Sequence, residues 1–373
     1  DAIKWGDLMA PTFTTFLQPK VKTSFLKTYT KDNIALRKKH KKAMFEFEME
    51  GNDEMAVISD KRQNNRKTKN NSTSGAFTIF SQPLANPTAH AVLTSTCRVT
   101  SGYANANNEK LTAGNRHYWS PDIVINNITS IVRHTDYEEM AKVMQKYDLV
   151  YPSVEQTMAC IRRGAMKYWH SESAYAEVQA YVEKLNALER AAFVYTGDLY
   201  HIRILNRDFI LGFFHKLTKP GNPDDINDPV TWIKSTHPDY YVLAMNIHQE
   251  EMRGIKVDGI KDENNIHVRQ VASTIRNIEA AIDEYGDFIK AFFTTTNVPA
   301  SLAYFPSSIR HTALTSDTDS TIFTAQEWVL DLCDGQTVGQ WPNSVAGAVL
   351  TFASQTIIHV LALMSANFGV CTE

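Results

Sequence analysis

Apolar residues recur three and four positions apart over Tyr137–Tyr147, Val154–Trp169 and Glu172–Tyr195, and each run predicts an amphipathic helix. A further helix is predicted from about Val268 to Phe293. Near the start, Thr30–Glu50 reads as a helix capped by Thr30 or Asp32, and Gly51-Asn52-Asp53 supplies a turn. A second helix follows from Glu54 to about Ser72, giving an antiparallel helical hairpin with an acidic tip and basic flanks. An irregular piece after Thr78 leads into another helix that runs to about Asn108. In HTALTSDTDSTIFT (His311–Thr324), β-branched and apolar residues flank a polar centre, the pattern of strand, tight turn and strand. Lys219–Pro229, rich in Pro, Gly and Asp, is the best candidate for an internal boundary.

Two runs depart from these patterns in opposite directions. KRQNNRKTKNNSTSG (Lys61–Gly75) has helical spacing but almost nothing apolar to bury. Val345–Val370 carries no formal charge and is long enough to cross a bilayer, though Gln355, His359 and Asn367 interrupt it. The latter reads as a buried helix of a large core, with no membrane association expected.

The chain has 373 residues, enough for two or three subdomains, and a formal net charge of −3 that does not mark it as a nucleic-acid binder. The distribution says more than the total. Basic residues crowd the first 70 positions, whereas acidic residues gather in PGNPDDINDP and IKDENN. Cys97, Cys160, Cys333 and Cys371 lie far apart with no CxxC pairing, which reads as free thiols in a reducing, intracellular compartment. No signal peptide is expected from the start of the sequence, and a chain beginning at Asp1 is expected to be processed, trimmed or part of a longer polypeptide.

Two clusters have the composition for chemistry. Gln63, Lys67 and Asn71 are spaced to share a helix face, and Arg37 with Lys41 repeats that spacing on the preceding helix. Paired rows of cations suit a polyanion such as a nucleoside triphosphate, while a solvated basic face is the plainer alternative. In SDTDS (Ser316–Ser320), strand alternation turns Asp317 and Asp319 to one side and Thr318 away. Adjacent carboxylates repel unless a cation neutralises them, and hard oxygens suit Mg²⁺; an ordinary turn is the alternative. His248, Glu250 and Glu251 also have metal-ligand chemistry, but a solvated helix face accounts for them as well.

Together the clusters resemble the family B DNA polymerases. That family's fingers helix reads Arg-Gln, four residues on a Lys, then Asn-Ser, any residue, Tyr, Gly; Arg62, Gln63, Lys67, Asn71, Ser72 and Gly75 fall in this register. GAFTIFSQPLANPTAHAVLTST is similar to the segment returning from fingers to palm, and SDTDS matches the palm hairpin Tyr-Gly-Asp-Thr-Asp-Ser. The resemblance implies an α+β fold: a lead-in (1–30), a fingers helical hairpin (31–78), a return into the palm (79–109), a mainly helical insertion (110–300), and a palm with an antiparallel metal-binding hairpin and an apolar helix (301–373). It implies DNA-directed DNA polymerisation by two Mg²⁺ ions, with Mn²⁺ as a substitute. Asp317 and Asp319 would bind metal, and Lys67 would join them as a catalytic residue. Arg37, Lys41, Gln63, Lys67, Asn71, Ser72 and Gly75 would bind dNTP opposite primer-template DNA.

Departures from the family pattern shape further expectations. Ser74 replaces the tyrosine beside the nascent base pair, and Thr315-Ser316 replaces Tyr-Gly. The family's first metal-binding Asp, in Asp-x-x-Ser-Leu-Tyr-Pro-Ser ahead of the fingers, has no counterpart in residues 1–30. Tyr151-Pro152-Ser153 mimics only its end, with Lys146 where the Asp belongs and Asp148 a weak substitute. The exonuclease and thumb signatures are also missing. A complementary chain or segment is therefore expected to supply the first Asp and the thumb, as in a split or viral polymerase working at a site of DNA replication. Two other classes stay open: a non-catalytic nucleic-acid-binding or scaffold subunit, and a metal-dependent glycosyltransferase with Asp-x-Asp.

Overall fold

The computed structural model describes residues 6–18, 20–248, 257, 260, 262–294, 308–317 and 320–367. It is mostly helical with two small antiparallel sheets, an α+β chain, and it divides into two compact units. One comprises Asp1–Thr100 and Ser365–Glu373, the other Ser101–Met364.

The first unit opens with strands β1 (Leu8–Met9) and β2 (Thr15–Phe16), paired antiparallel. Helices α1 (Phe25–Met49) and α2 (Asp53–Ala76) follow, and α3 (Pro87–Ala113) begins here and ends in the second unit. The cap of α1 is Ser24, whose Oγ accepts from Leu26 N, so the helix starts earlier than the Thr30 or Asp32 expectation. Asn52 caps α2, and Gly51 takes the positive φ of 70° that lets the chain reverse.

Lys61–Gly75 is held by a polar seam. On α2 the inward residues are Ala56, Ser59, Gln63, Arg66 and Asn70, alternating three and four apart as in a coiled coil. Asn33 of α1 is buried, donates to Asn70 Oδ1 at 2.8 Å and accepts from Arg66 Nη1 at 3.1 Å. Arg37 Nε donates to Gln63 Oε1 at 3.4 Å, and Gln63 donates to Asp60 at 2.9 Å. Paired polar groups thus take the place of an apolar stripe, and each is costly to remove singly because its partner stays behind unsatisfied.

The second unit is built from α4 (Pro121–His134), α5 (Tyr137–Lys146), α6 (Val154–Ala165), α7 (Glu172–Val182), α8 (Ala187–Tyr195), α9 (Leu199–Leu205), α10 (Arg207–Leu217), α11 (Pro229–Ser235), α12 (Pro238–His248), α13 (Ile266–Glu284) and α14 (Gly286–Phe293). Strands β3 (Ala313–Ser316) and β4 (Thr321–Phe323) and helices α15 (Gln326–Leu332) and α16 (Gln340–Asn367) complete it. One apolar core runs from Leu111 through Phe193, Phe213 and Phe288 to Trp328 and Ala353. The helical segment after residue 110 therefore shares its interior with the later strands and helices.

Three details differ from the sequence reading. Glu172–Tyr195 is two helices, because Asn186 and Glu189 form a capping box that starts α8. Val268–Phe293 is likewise broken, at Tyr285. Lys219–Pro229 is no boundary but a strap on α13: Gly221 N donates to Thr274 Oγ1, and Arg269 donates to Pro223 O. Cys97, Cys160 and Cys333 are free thiols, as expected. Helix α16 is long and apolar enough to cross a membrane by length and composition. Val345, Ala348, Val349, Phe352 and Ala353 lie in the core, with the Phe352 ring 4.9 Å from Phe293 and 6.0 Å from Phe213.

A buried ion pair fastens the loop that follows α3. Arg116 donates to Asp198 Oδ2 from Nε at 2.9 Å and Nη2 at 2.7 Å, and also to the carbonyls of Phe193 and Val194. His201 Nδ1 lies 2.8 Å from the same oxygen. Burial opposes a charged His201, but the Asp198 carboxylate and the Cys160 thiol outweigh it and push His201 up to about 9. Burial, with the Arg116 cation beside it, pushes nearby Lys110 down to about 7.

Two outcomes follow from these contacts. Asn33→Ala should lower the stability of the α1–α2 hairpin by about 1–3 kcal/mol, read as an earlier loss of helical signal in urea; an unchanged midpoint would contradict the polar seam. Protonated His201 stabilises the fold fully below about 6.5, and that contribution fades as pH rises through about 9. Lys110 works in the opposite sense, costing stability as pH falls from its ordinary 10.5 towards 7. The melting-temperature difference between wild type and His201→Gln should therefore shrink from pH 6.5 to 9.5.

Candidate active site: a carboxylate hairpin seated on a helix

Strands β3 and β4 pair antiparallel, Thr315 with Ile322 and Ser316 with Thr321, with an irregularity between Ala313 and Thr315. Asp317 N donates to Ser320 O at 2.9 Å, closing the turn. Asp317 is exposed at the end of β3, while Thr318 and Asp319 lie outside the described residues. Two strands this short are marginal alone, so the position of Asp317 depends on what they lie against.

They lie against the C-terminal half of α3, whose Ser101, Asn105, Glu109 and Thr112 share one face by helical spacing. Ser101 Oγ donates to Asp317 O at 3.5 Å. Asn105 bridges both strands: Nδ2 donates to Ser316 Oγ at 2.9 Å and Oδ1 accepts from Thr321 Oγ1 at 2.8 Å. Glu109 is buried and accepts at Oε1 from Thr312 N and Ala313 N, both at 2.7 Å, and from Thr312 Oγ1 at 3.0 Å. Its Oε2 accepts from His311 N at 2.7 Å and Asn115 Nδ2 at 2.6 Å. Burial pushes the Glu109 carboxyl up, but the donors at Ala313, Asn115, His311 and Thr312 outweigh it and hold the group below the usual carboxylate range. Thr112 Oγ1 meets Thr312 Oγ1 at 3.0 Å, and Trp328 Nε1 donates to Thr112 O at 2.7 Å.

The residues expected to bind a triphosphate lie in the other unit, on α1 and α2. Lys67, Asn71 and Ser72 are exposed, as is Lys41, whose Nζ stands 6.0 Å from the Phe45 ring centre. Gln63 does not share that exposure. An i, i+4 row drifts about 40° per step in a helix of 3.6 residues per turn, so the seam takes Gln63 and leaves Lys67 and Asn71 outside. Arg37, half-buried, meets Gln63 across the seam. A Cβ added at Gly75 would meet nothing within 4 Å. Ser74, at the family's tyrosine position, ties α2 to α3: His90 Nδ1 lies 3.2 Å from Ser74 O and 3.4 Å from its Oγ.

An exposed carboxylate such as Asp317 belongs to the hard-oxygen donor class that Mg²⁺ takes. The buried trio Cys160, Asp198 and His201 has its ligand atoms within 4.8 Å of one another, yet it suits Mg²⁺ poorly. Its donors are a thiol, an imidazole and a carboxylate oxygen already engaged by Arg116 and His201. Tyr151-Pro152-Ser153 has a local explanation, since Ser153 and Gln156 form the capping box of α6. Asp148 sits at φ 50° in the turn after α5. His248 meets Thr274 Oγ1 at 2.5 Å, and Glu250 and Glu251 lie outside the described residues.

Glu109 and Asn105 escaped the sequence reading, which treated this helix only as a route to the palm. The signal was present as polar residues at 101, 105, 109 and 112, four, four and three apart.

Nothing matches among curated proteins or among solved structures. A family model described as divergent family B DNA polymerase matches residues 3–373, essentially the whole chain and both units. With the carboxylate hairpin and the cationic helix pair inside one continuous match, the chain belongs to the divergent family B DNA polymerases.

Proposed function

We propose that the chain performs template-directed nucleotidyl transfer, with Asp317 and Asp319 as ligands of two Mg²⁺ ions, or of Mn²⁺ in their place. Family membership already carries a polymerase-related role, with DNA and dNTP as what it binds. The observation that best supports the finer reading is Asp317 at the end of a hairpin pinned at both strands by Asn105 and at the start of β3 by Glu109. Precise carriage of a carboxylate is what positioning catalysis requires.

In this reading the primer 3′-oxygen bonds to the α-phosphorus of the dNTP, the bond to pyrophosphate breaks, and the hydroxyl proton passes to solvent. Bound divalent cations supply neutralisation of the phosphate charge and a more acidic 3′-hydroxyl. Lys67 and Lys41 hold the triphosphate as point charges, and Arg37 does so from a position fixed by Gln63. Asn71, Ser72 and Gly75 shape the nucleotide pocket, with Ser74 giving a smaller surface than the family's tyrosine. Residues 31–78 act as fingers, 79–109 as the return, and 301–373 as the palm. The first catalytic Asp and the thumb come from a complementary segment or chain, inside the cell at the site of DNA replication.

The reading is tested by primer extension with the chain alone and with its co-purifying partners. Asp317→Ala should reduce extension to background, and Lys67→Ala should reduce it by about 100-fold, the scale of losing one transition-state charge contact. EDTA should abolish it. Extension at the wild-type rate by either variant would overturn the assignment, and intact DNA binding without extension in any assembly would favour a scaffold subunit.

A further inference from the structure

The β3–β4 hairpin raises a problem of support. Its strands have four and three residues, too few to hold a turn in place by their own pairing. The N–H groups of His311, Thr312 and Ala313 all point to one side chain, and that side chain is a buried carboxylate rather than another strand. Five donors converge on its two oxygens, which offer about four lone-pair sites. Glu109 therefore has no capacity left for a cation or a transferring proton, and it is not the third carboxylate that a two-metal centre would need.

We propose that Glu109, with Asn105, is a positioning residue for metal binding: a charged clamp in α3 that fixes the β3–β4 hairpin so that Asp317 presents its carboxylate to a divalent cation. The proposal rests on the reading of Asp317 as a metal ligand. Charge is central to the clamp, because hydrogen bonds to an ionised acceptor are roughly twice as strong as neutral ones. A glutamine at 109 retains the shape but turns an N–H₂ towards backbone N–H groups, leaving part of the set unsatisfied. Asn105 then fixes the hairpin close to its turn, since its two amide atoms bind Ser316 and Thr321, the residues flanking the turn on either strand.

The test uses the full chain and two readouts that need no polymerase activity. Amide hydrogen exchange over 311–317 measures the clamp without metal, and electron paramagnetic resonance of free Mn²⁺ measures the affinity of the site. Asn206→Ala serves as a control for general destabilisation. Asn206 is a buried amide of the same unit that accepts from Val150 N and donates to Tyr195 Oη, away from the hairpin. Glu109→Gln should speed exchange at 311–313 at least tenfold and weaken Mn²⁺ binding at least tenfold. Asn206→Ala should leave both unchanged within twofold, and Asp317→Ala should remove the Mn²⁺ site while leaving exchange at 311–313 slow. Unchanged exchange in Glu109→Gln overturns the clamp. Faster exchange with unaltered Mn²⁺ affinity overturns its role in positioning. Mn²⁺ binding that survives Asp317→Ala, or is absent from wild type, overturns instead the metal reading on which the proposal stands.

Discussion

The carboxylate of Glu109 receiving the backbone N–H groups of His311, Thr312 and Ala313 is the contact on which the candidate site depends. Burying a charge is costly unless it is compensated, and here the compensation comes from the segment that leads into the strand to be held. The clamp is only as firm as the helix bearing it. The loop after α3 is fastened by Arg116, whose guanidinium spans Asp198 and the carbonyls at the end of α8. Trp328 adds a second tie through Thr112. A line of polar contacts, buried at its inner end, thus runs from the helical core of this unit to the turn that carries Asp317.

The helical hairpin of the other unit solves a different problem. Cationic helices repel, and α2 offers no apolar side chain between Ile58 and Ala76 to offset that. Interlocking Asn33, Arg66 and Asn70, with Arg37 on Gln63, fixes register and pairing in the way that polar core residues do in coiled coils. Their seam spends polar groups on specificity and leaves Lys67, Asn71 and Lys41 on the outside, where a polyanion has access.

Local pattern made much of this legible beforehand. The helix pair, the strand-turn-strand at 311–324 and the amphipathic helices follow from periodicity, and the family follows from short motifs in a fixed order. Helix ends were less accessible: Ser24 rather than Thr30 or Asp32 caps α1, and Asn186 splits a run whose apolar spacing continues past it. The i, i+4 spacing groups Gln63 with Lys67 and Asn71, because it says which residues are neighbours but not which face a partner helix will cover. Glu109 was invisible for a related reason. Its partners are backbone groups some 200 residues away, and a backbone N–H leaves no mark in the sequence.

The central claim is that the β3–β4 hairpin is where a divalent cation binds in this divergent family B polymerase. Fe²⁺ can stand in for Mg²⁺ and, with ascorbate and peroxide, cuts the backbone beside the place where it is held. Mapping those cuts on the full chain tests the claim most directly. Cleavage concentrated at 315–321, and competed away by Mg²⁺, is the expected result; cleavage around Cys160, Asp198 and His201 with none at the hairpin would contradict it.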